Sequence, residues 1–194
     1  MKNLIPRRKC GFTLVELLVV IAIIAVLAGA GFAAGNAAIQ KARRTTALAT
    51  ATSIEAAVNN FHTEYGSMPK SNLTGDDEVN TKDDVDLLKV LLGIETVTTP
   101  LNTRAVKFLS VREGKAGKNG LIYNSTGTTV TGLFDPWGGP YYIALDGNYD
   151  EKIEVKPSAS PKTTLNGRRA AVWSNGADAV GGTGGAVGDD VKTW

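Results

Sequence analysis

Residues 10–32 read CGFTLVELLVVIAIIAVLAGAGF, and the reading of this stretch decides the fold. From Leu14 to Ala34 the only charge is Glu16. Those 21 residues, at about 1.5 Å each in a helix, cover the roughly 30 Å hydrocarbon core of a bilayer. A membrane helix and a secretory signal peptide both satisfy this pattern, since bases precede the run and small residues stand at Ala28 and Ala30. Composition leaves both open. Lys41, Arg43 and Arg44 follow the run almost as densely as Lys2, Arg7, Arg8 and Lys9 precede it, so charge does not fix the orientation. Glu16 separates the two readings, because an acid inside a bilayer costs about 2.5 kcal/mol or more at mid-depth and normally has a partner or a task. A signal peptide gains nothing from it.

Outside this stretch the 194-residue chain has the size of one ordinary domain with appendages, and much of its 43% hydrophobic content sits in the first 35 positions. The formal charge is +2, and a chain without the basic leader carries −2. No basic face interleaved with aromatics suggests nucleic acid as a partner. Cys10 is the sole cysteine, which excludes an internal disulfide and a cysteine metal cluster. Arg7, three places before Cys10 where an apolar residue is needed, also excludes a lipoprotein signal.

Arg7-Arg8-Lys9-Cys10-Gly11-Phe12-Thr13-Leu14-Val15-Glu16 resembles the class III signal of the type IV pilin-like family, with a basic leader, a glycine, a Phe, and an acid at the fifth residue after the glycine. The resemblance implies that a prepilin peptidase cuts between Gly11 and Phe12 and methylates the Phe12 amine, so leader 1–11 is lost and the apolar helix stays. It further implies that Glu16 pairs with the Phe12 amine of a neighbouring subunit in a filament. The alternative is that Glu16 snorkels to the headgroups.

Beyond the run, Leu48, Ala51, Ile54, Val58, Phe61 and Tyr65 recur at helical spacing, the mark of one buried stripe. No proline occurs from Phe12 to Met68, so membrane helix 12–35 and amphipathic helix 36–65 can form one rod of about 54 residues and roughly 80 Å. Many members of the family have a proline where this chain has Ala33; any melting here would fall to Gly29, Gly31 and Gly35. Tyr65-Gly66-Ser67-Met68-Pro69 ends the rod. SNLTGDDEVNTKDD reads as a polar surface loop, after which Asp83 or Asp84 caps a short helix through Leu92, with Gly93 behind it. His62, the only histidine, reads as a surface residue.

From residue 106 the pattern turns to short strands, KFLSV, LIYN, TTVTGLF, YYIALD, KIEV and AAVWS, set off by turns with glycine. FDPWGGPYY, residues 134–142, reads as a tight turn plugged by Trp137. It is similar to an Asp-Pro-Trp-Gly-x-Pro-Tyr element found, within the family, in the major pseudopilins of type II secretion. Asp146-Gly-Asn-Tyr-Asp150 has the opening spacing of an EF-hand loop but lacks its sixth and twelfth residues, so a hairpin turn is expected there.

The carboxyl-terminal stretch 174–194, SNGADAVGGTGGAVGDDVKTW, is dense in glycine and holds Asp178, Asp189 and Asp190. It lacks the Gly-Lys-Ser/Thr of a phosphate loop and has no room for a following helix, so no nucleotide is expected. Oxygen ligands on a loop that can curl back on itself suit Ca²⁺. The resemblance to major pseudopilins, carried by Ser174-x-Gly176-Ala177-Asp178 and Asp190-Val191-x-x-Trp194, implies Ca²⁺ held by the Asp178 and Asp190 side chains with the Asn175 carbonyl, and Asp189 and Ser174 as further candidates.

The expected fold is therefore α+β: leader 1–11, the two-part helix 12–65, and a globular domain 66–194 in the periplasm. The resemblance implies a structural subunit, not an enzyme, of the type II secretion pseudopilus. It would be anchored once in the inner membrane, and its partners would be copies of itself, minor pseudopilins, an assembly platform and the prepilin peptidase. A type IV pilus subunit is the main alternative; such subunits commonly carry a carboxyl-terminal disulfide, for which this chain has no cysteines. An exported binding module with a cleaved signal peptide is another. A minor pseudopilin would be expected to lack glutamate at position 16.

Overall fold

The structure is a computed structural model and describes residues 13–155, 162–181 and 189–194. It has the α+β architecture expected. Helix α1 runs from Leu14 to Tyr65, 52 residues without a break at the glycines. Two compact units divide within it, 1–41 and 42–194.

In the first unit, Glu16 is the only charged residue of α1 up to Ala34, and Leu14, Val15, Leu17, Leu18, Ile21, Ile23, Ile24, Val26 and Leu27 are all exposed. It is long and apolar enough to cross a membrane.

In the second unit the same helix becomes one-sided. Ala47, Ala51, Ile54, Val58 and Phe61 are buried at spacings of three and four, with Ala57 next to Val58 also buried and Tyr65 packed beside them. Leu48, expected in this stripe, is 42% exposed, and Ala47 takes its place. Helix α2, Val85–Leu92, begins at Asp84, whose carboxylate accepts from the Leu87 amide, and stops at Gly93 in the left-handed region. A side chain at Gly93 would press its Cβ to 2.6 Å of the Ala105 carbonyl oxygen, so only glycine fits.

A four-stranded antiparallel sheet follows the order β1 (Asp76–Asn80), β4 (Tyr142–Asp146), β7 (Ala170–Ser174), β8 (Val191–Lys192). Alternation along its central strands sorts the two faces. Ile143, Leu145, Ala170 and Val172 join the main core with α1 and α2, whereas Ala144, Ala171 and Trp173 enter a second cluster with Ile153 and Val155. Trp173 lies between the Tyr142 ring, stacked at 5.5 Å, and the Trp194 ring, edge-on at 5.7 Å. Hairpins β2 (Gly120–Tyr123) with β3 (Val130–Phe134), and β5 (Lys152–Val155) with β6 (Thr163–Asn166), complete the unit. Fully burying a side chain the size of Phe61, Ile54 or Leu145 contributes about 1.5–3 kcal/mol each, so the stripe of α1 is a principal anchor of the domain.

Four expectations need correction. Segment 107–111 is not a strand; the Phe108 and Leu109 amides both donate to the Leu91 carbonyl at 2.9 Å and strap the segment to the end of α2. The polar loop before α2 contains β1, an edge strand whose one buried apolar residue is Val79. Asp146-Gly147 is no hairpin, because both sides of β4 are already paired, with β1 and with β7, and β5 pairs with β6. Trp137 is only half-buried and belongs to neither core cluster; the buried group of its turn is Asp135.

Candidate functional site

Two places carry the expected function, one in each unit. At the first, Gly11 and Phe12 lie outside the described residues, and Glu16 lies within them. Its carboxylate accepts from the Thr13 amide at 2.9 Å and from the Thr13 hydroxyl at 2.8 Å. The Glu16 amide returns a bond to the Thr13 hydroxyl oxygen at 3.2 Å. This reciprocal pair is a capping box, in which a helix start satisfies its own orphan amides. Within a bilayer no water would do so. Glu16 thus has a local task besides any partner in an assembly, a role missed in reading it only as a counter-charge. The signal was legible as Thr-x-x-Glu before an apolar run.

At the second place, β7 ends in Ser174 and the chain turns through Asn175 and Gly176 before β8 returns alongside. Gly176 has φ +70°, and a Cβ there would lie 2.4 Å from the Asp189 carbonyl oxygen. The two strands of the loop therefore touch, and only glycine allows it. Asp189 Oδ2 accepts from the Ala177 and Asp178 amides at 2.9 and 3.1 Å. Its other oxygen, Oδ1, is buried and accepts no hydrogen bond among the described residues, nor does Asn175 Oδ1. Asp190 is 5% exposed; its Oδ2 lies 3.2 Å from the Lys192 ammonium, and its carbonyl accepts from Arg44 on α1 at 3.2 Å. Arg168 adds a second tie, reaching Glu55 of α1 at 2.8 Å and the Thr193 carbonyl at 3.2 Å.

The expected ligand residues therefore divide. Asn175 and Asp190 are buried and Asp189 has one buried oxygen; at Asn175 the unfilled oxygen is the side-chain Oδ1, not the backbone carbonyl that was expected to serve. Asp178 is exposed, and its Oδ1 accepts from the Val180 amide at 2.8 Å. The Ser174 hydroxyl donates to Asp135 and accepts from the Gly176 amide, so it is engaged within the protein. Among the described residues no three His, Cys, Asp or Glu side chains converge on one point. What the loop offers is an oxygen-only set of one amide and two carboxylates, with Asn175 Oδ1 and Asp189 Oδ1 buried and unfilled among the described residues. Buried acceptors are ordinarily hydrogen-bonded, and an unfilled pair calls for a water or a cation.

In the main core, burial above all pushes the Tyr141 phenol well above its ordinary range, with a hydrogen bond from Thr50 opposing and the Asp135 charge adding to the rise. Tyr141 is thus a neutral core residue.

No curated protein and no solved structure gives a significant match to the chain. Residues 6–32 match the model of the prokaryotic N-terminal methylation motif. At its amino terminus the chain therefore carries the signature of type IV pilin-like prepilins, followed by a helix fit to anchor it in a membrane.

Proposed function

We propose that this chain is the major structural subunit of a type II secretion pseudopilus. The observation that carries the reading is the methylation motif over residues 6–32, joined through one unbroken helix to a small α+β domain that ends in an oxygen-lined loop. Before assembly the apolar part of α1 holds the subunit in the inner membrane with its domain in the periplasm. Afterwards the exposed apolar surface of that segment is covered by the same segment of other copies, a head-to-tail contact that builds an open helix. The prepilin peptidase cuts between Gly11 and Phe12 and methylates Phe12. Glu16 then pairs with that amine on the next subunit and sets the axial register. The chain is not an enzyme; an assembly ATPase supplies the work, and minor pseudopilins and a membrane platform are its other partners.

In the carboxyl-terminal loop the ion is Ca²⁺, which takes only oxygen ligands. Asn175, Asp189 and Asp190 would hold it, and Asp178, whose Oδ1 accepts from the Val180 amide, would be a further ligand. The ion would neutralise the crowded carboxylates and so order the loop.

The intact mass of protein extracted from membranes tests the processing. A chain beginning at Phe12 with one added methyl is expected, and a start after Ala30 would sink the reading. Deleting the gene separates pseudopilus from pilus: export of secreted proteins should stop while surface pili remain, and the reverse result would make the chain a pilin.

A further inference from the structure

Asp135 opens the turn between β3 and β4 and is 1% exposed. Its Oδ1 accepts from three successive amides, Trp137 at 2.8 Å, Gly138 at 2.7 Å and Gly139 at 2.9 Å. That oxygen alone suffices to close the turn. Its Oδ2 is committed elsewhere, to the Ser174 hydroxyl at 2.5 Å, across 39 residues of chain. The Ser174 oxygen in turn accepts from the Gly176 amide at 3.2 Å. A hydroxyl that donates to a carboxylate is a better acceptor for the next amide, so the three groups form one polarised chain. Asn175 lies between the two residues so held, and Gly176 is in contact with Asp189.

The geometry points to Asp135 as the positioning residue of the carboxyl-terminal oxygen cluster: through the Ser174 hydroxyl it fixes the backbone on both sides of Asn175, and so aims the unfilled oxygens of Asn175 and Asp189. The effect on calcium rests on the calcium reading above, whereas the coupling through Ser174 stands apart from it. Asparagine cannot replace Asp135 here. Its carbonyl can face the three amides, but its amide group then meets the Ser174 hydroxyl and leaves that buried proton without an acceptor. Flipped, it sets an amide group against three amides.

The test uses full-length protein in detergent micelles. Hydrogen exchange is followed at individual amides with calcium and with chelator, and calcium affinity is measured by calorimetry, for wild type, Asp135→Asn, Ser174→Ala and the double variant. Asp135→Asn should speed exchange at Ala177 and Asp178 about tenfold in chelator and weaken calcium binding by a similar factor. Amides of β5, which have no part in the network, should exchange as before. Ser174→Ala leaves all three bonds to Asp135 Oδ1 in place, yet should speed exchange at Gly138 and Gly139 about threefold, because coupling between two sites runs both ways. The double variant should exceed the larger single effect by less than about twofold. A change confined to 137–139 in Asp135→Asn, a uniform rise that includes β5, or additive singles would each overturn the assignment. If Asp135→Asn does not fold, Ser174→Ala decides alone: unchanged exchange at Gly138 and Gly139 overturns the coupling. If wild type binds no calcium, the metal reading falls and the exchange results still judge Asp135.

Discussion

Two acid-rich loops lie in the same domain, and they have opposite internal chemistry. In the loop after β4, Asp146 is 1% exposed and both its oxygens are used, Oδ1 by the Asp150 amide at 3.2 Å and Oδ2 by the Glu151 amide at 2.9 Å. In the carboxyl-terminal loop Asp189 uses one oxygen on two amides, while its other oxygen and that of Asn175 are buried and unfilled among the described residues. By sequence the first loop has the better cation spacing, Asp-x-Asn-x-Asp. By hydrogen bonding, though, neither oxygen of its buried Asp146 is left unfilled. The lesson is that acid spacing does not mark a cation site; the balance of acceptors against donors does.

The sharpest way to break this comparison is to remove the closed carboxylate. Asp146→Ala removes two amide bonds to a buried carboxylate, and bonds to a charged group contribute about 1.5–3 kcal/mol each; with the Asp150 amide keeping Asn148 Oδ1 at 3.3 Å, a total loss of about 2–4 kcal/mol is expected in urea unfolding. The loss should be the same with calcium and with chelator. A loss that calcium repairs would show that the first loop also takes an ion. Next in size is the ion itself: wild type in calcium at a hundred times its Kd should gain about 2.7 kcal/mol over the chelated protein. Exchange should slow at residues 174–181 and 189–194 but not at 146–151. Equal stability in both buffers would remove the metal from the carboxyl-terminal loop.

These differences were only partly legible in the sequence. The long helix, its stop, the cap of α2 and most strands follow from local patterns, because apolar spacing and turn residues act over a few positions. β1 was hidden, since Asp76, Asp77 and Glu78 are poor strand formers, and only pairing with β4 makes a strand of them. Their charges also suit an edge, where they discourage further strand addition. β8, two residues long, is too short to carry a pattern at all. At the site, Asp178, Asp189, Asp190 and Asn175 stood out by residue type, but which oxygens are taken depends on amides that the fold brings near. Asp135 was invisible for the same reason. Its turn could be read locally, while its bond to Ser174 spans 39 residues and exists only once β4 and β7 have paired.

Smaller effects sharpen the contrast further. Asn175→Ala deletes an oxygen that has no donor among the described residues, so in chelator the loss should be under about 1 kcal/mol, since an unfilled acceptor contributes no hydrogen bond. In calcium the same variant should bind the ion about tenfold more weakly. A large loss in chelator would mean that this oxygen has a water or protein partner, and would move the candidate ligands away from Asn175.

The smallest effect is expected at Glu151. Its amide closes the Asp146 loop, but its side chain only meets Arg169 at 3.4 Å, with both groups well exposed. Exposed pairs of this kind contribute about 0–0.5 kcal/mol and fade with salt. Glu151→Gln keeps the amide and removes the charge, so stability should change by less than about 0.5 kcal/mol in low salt and not at all in high salt. A larger, salt-sensitive loss would show that charge holds this loop. An insensitive result would leave backbone amides as what closes it, and closure by amides is what satisfies the buried Asp146 without a cation.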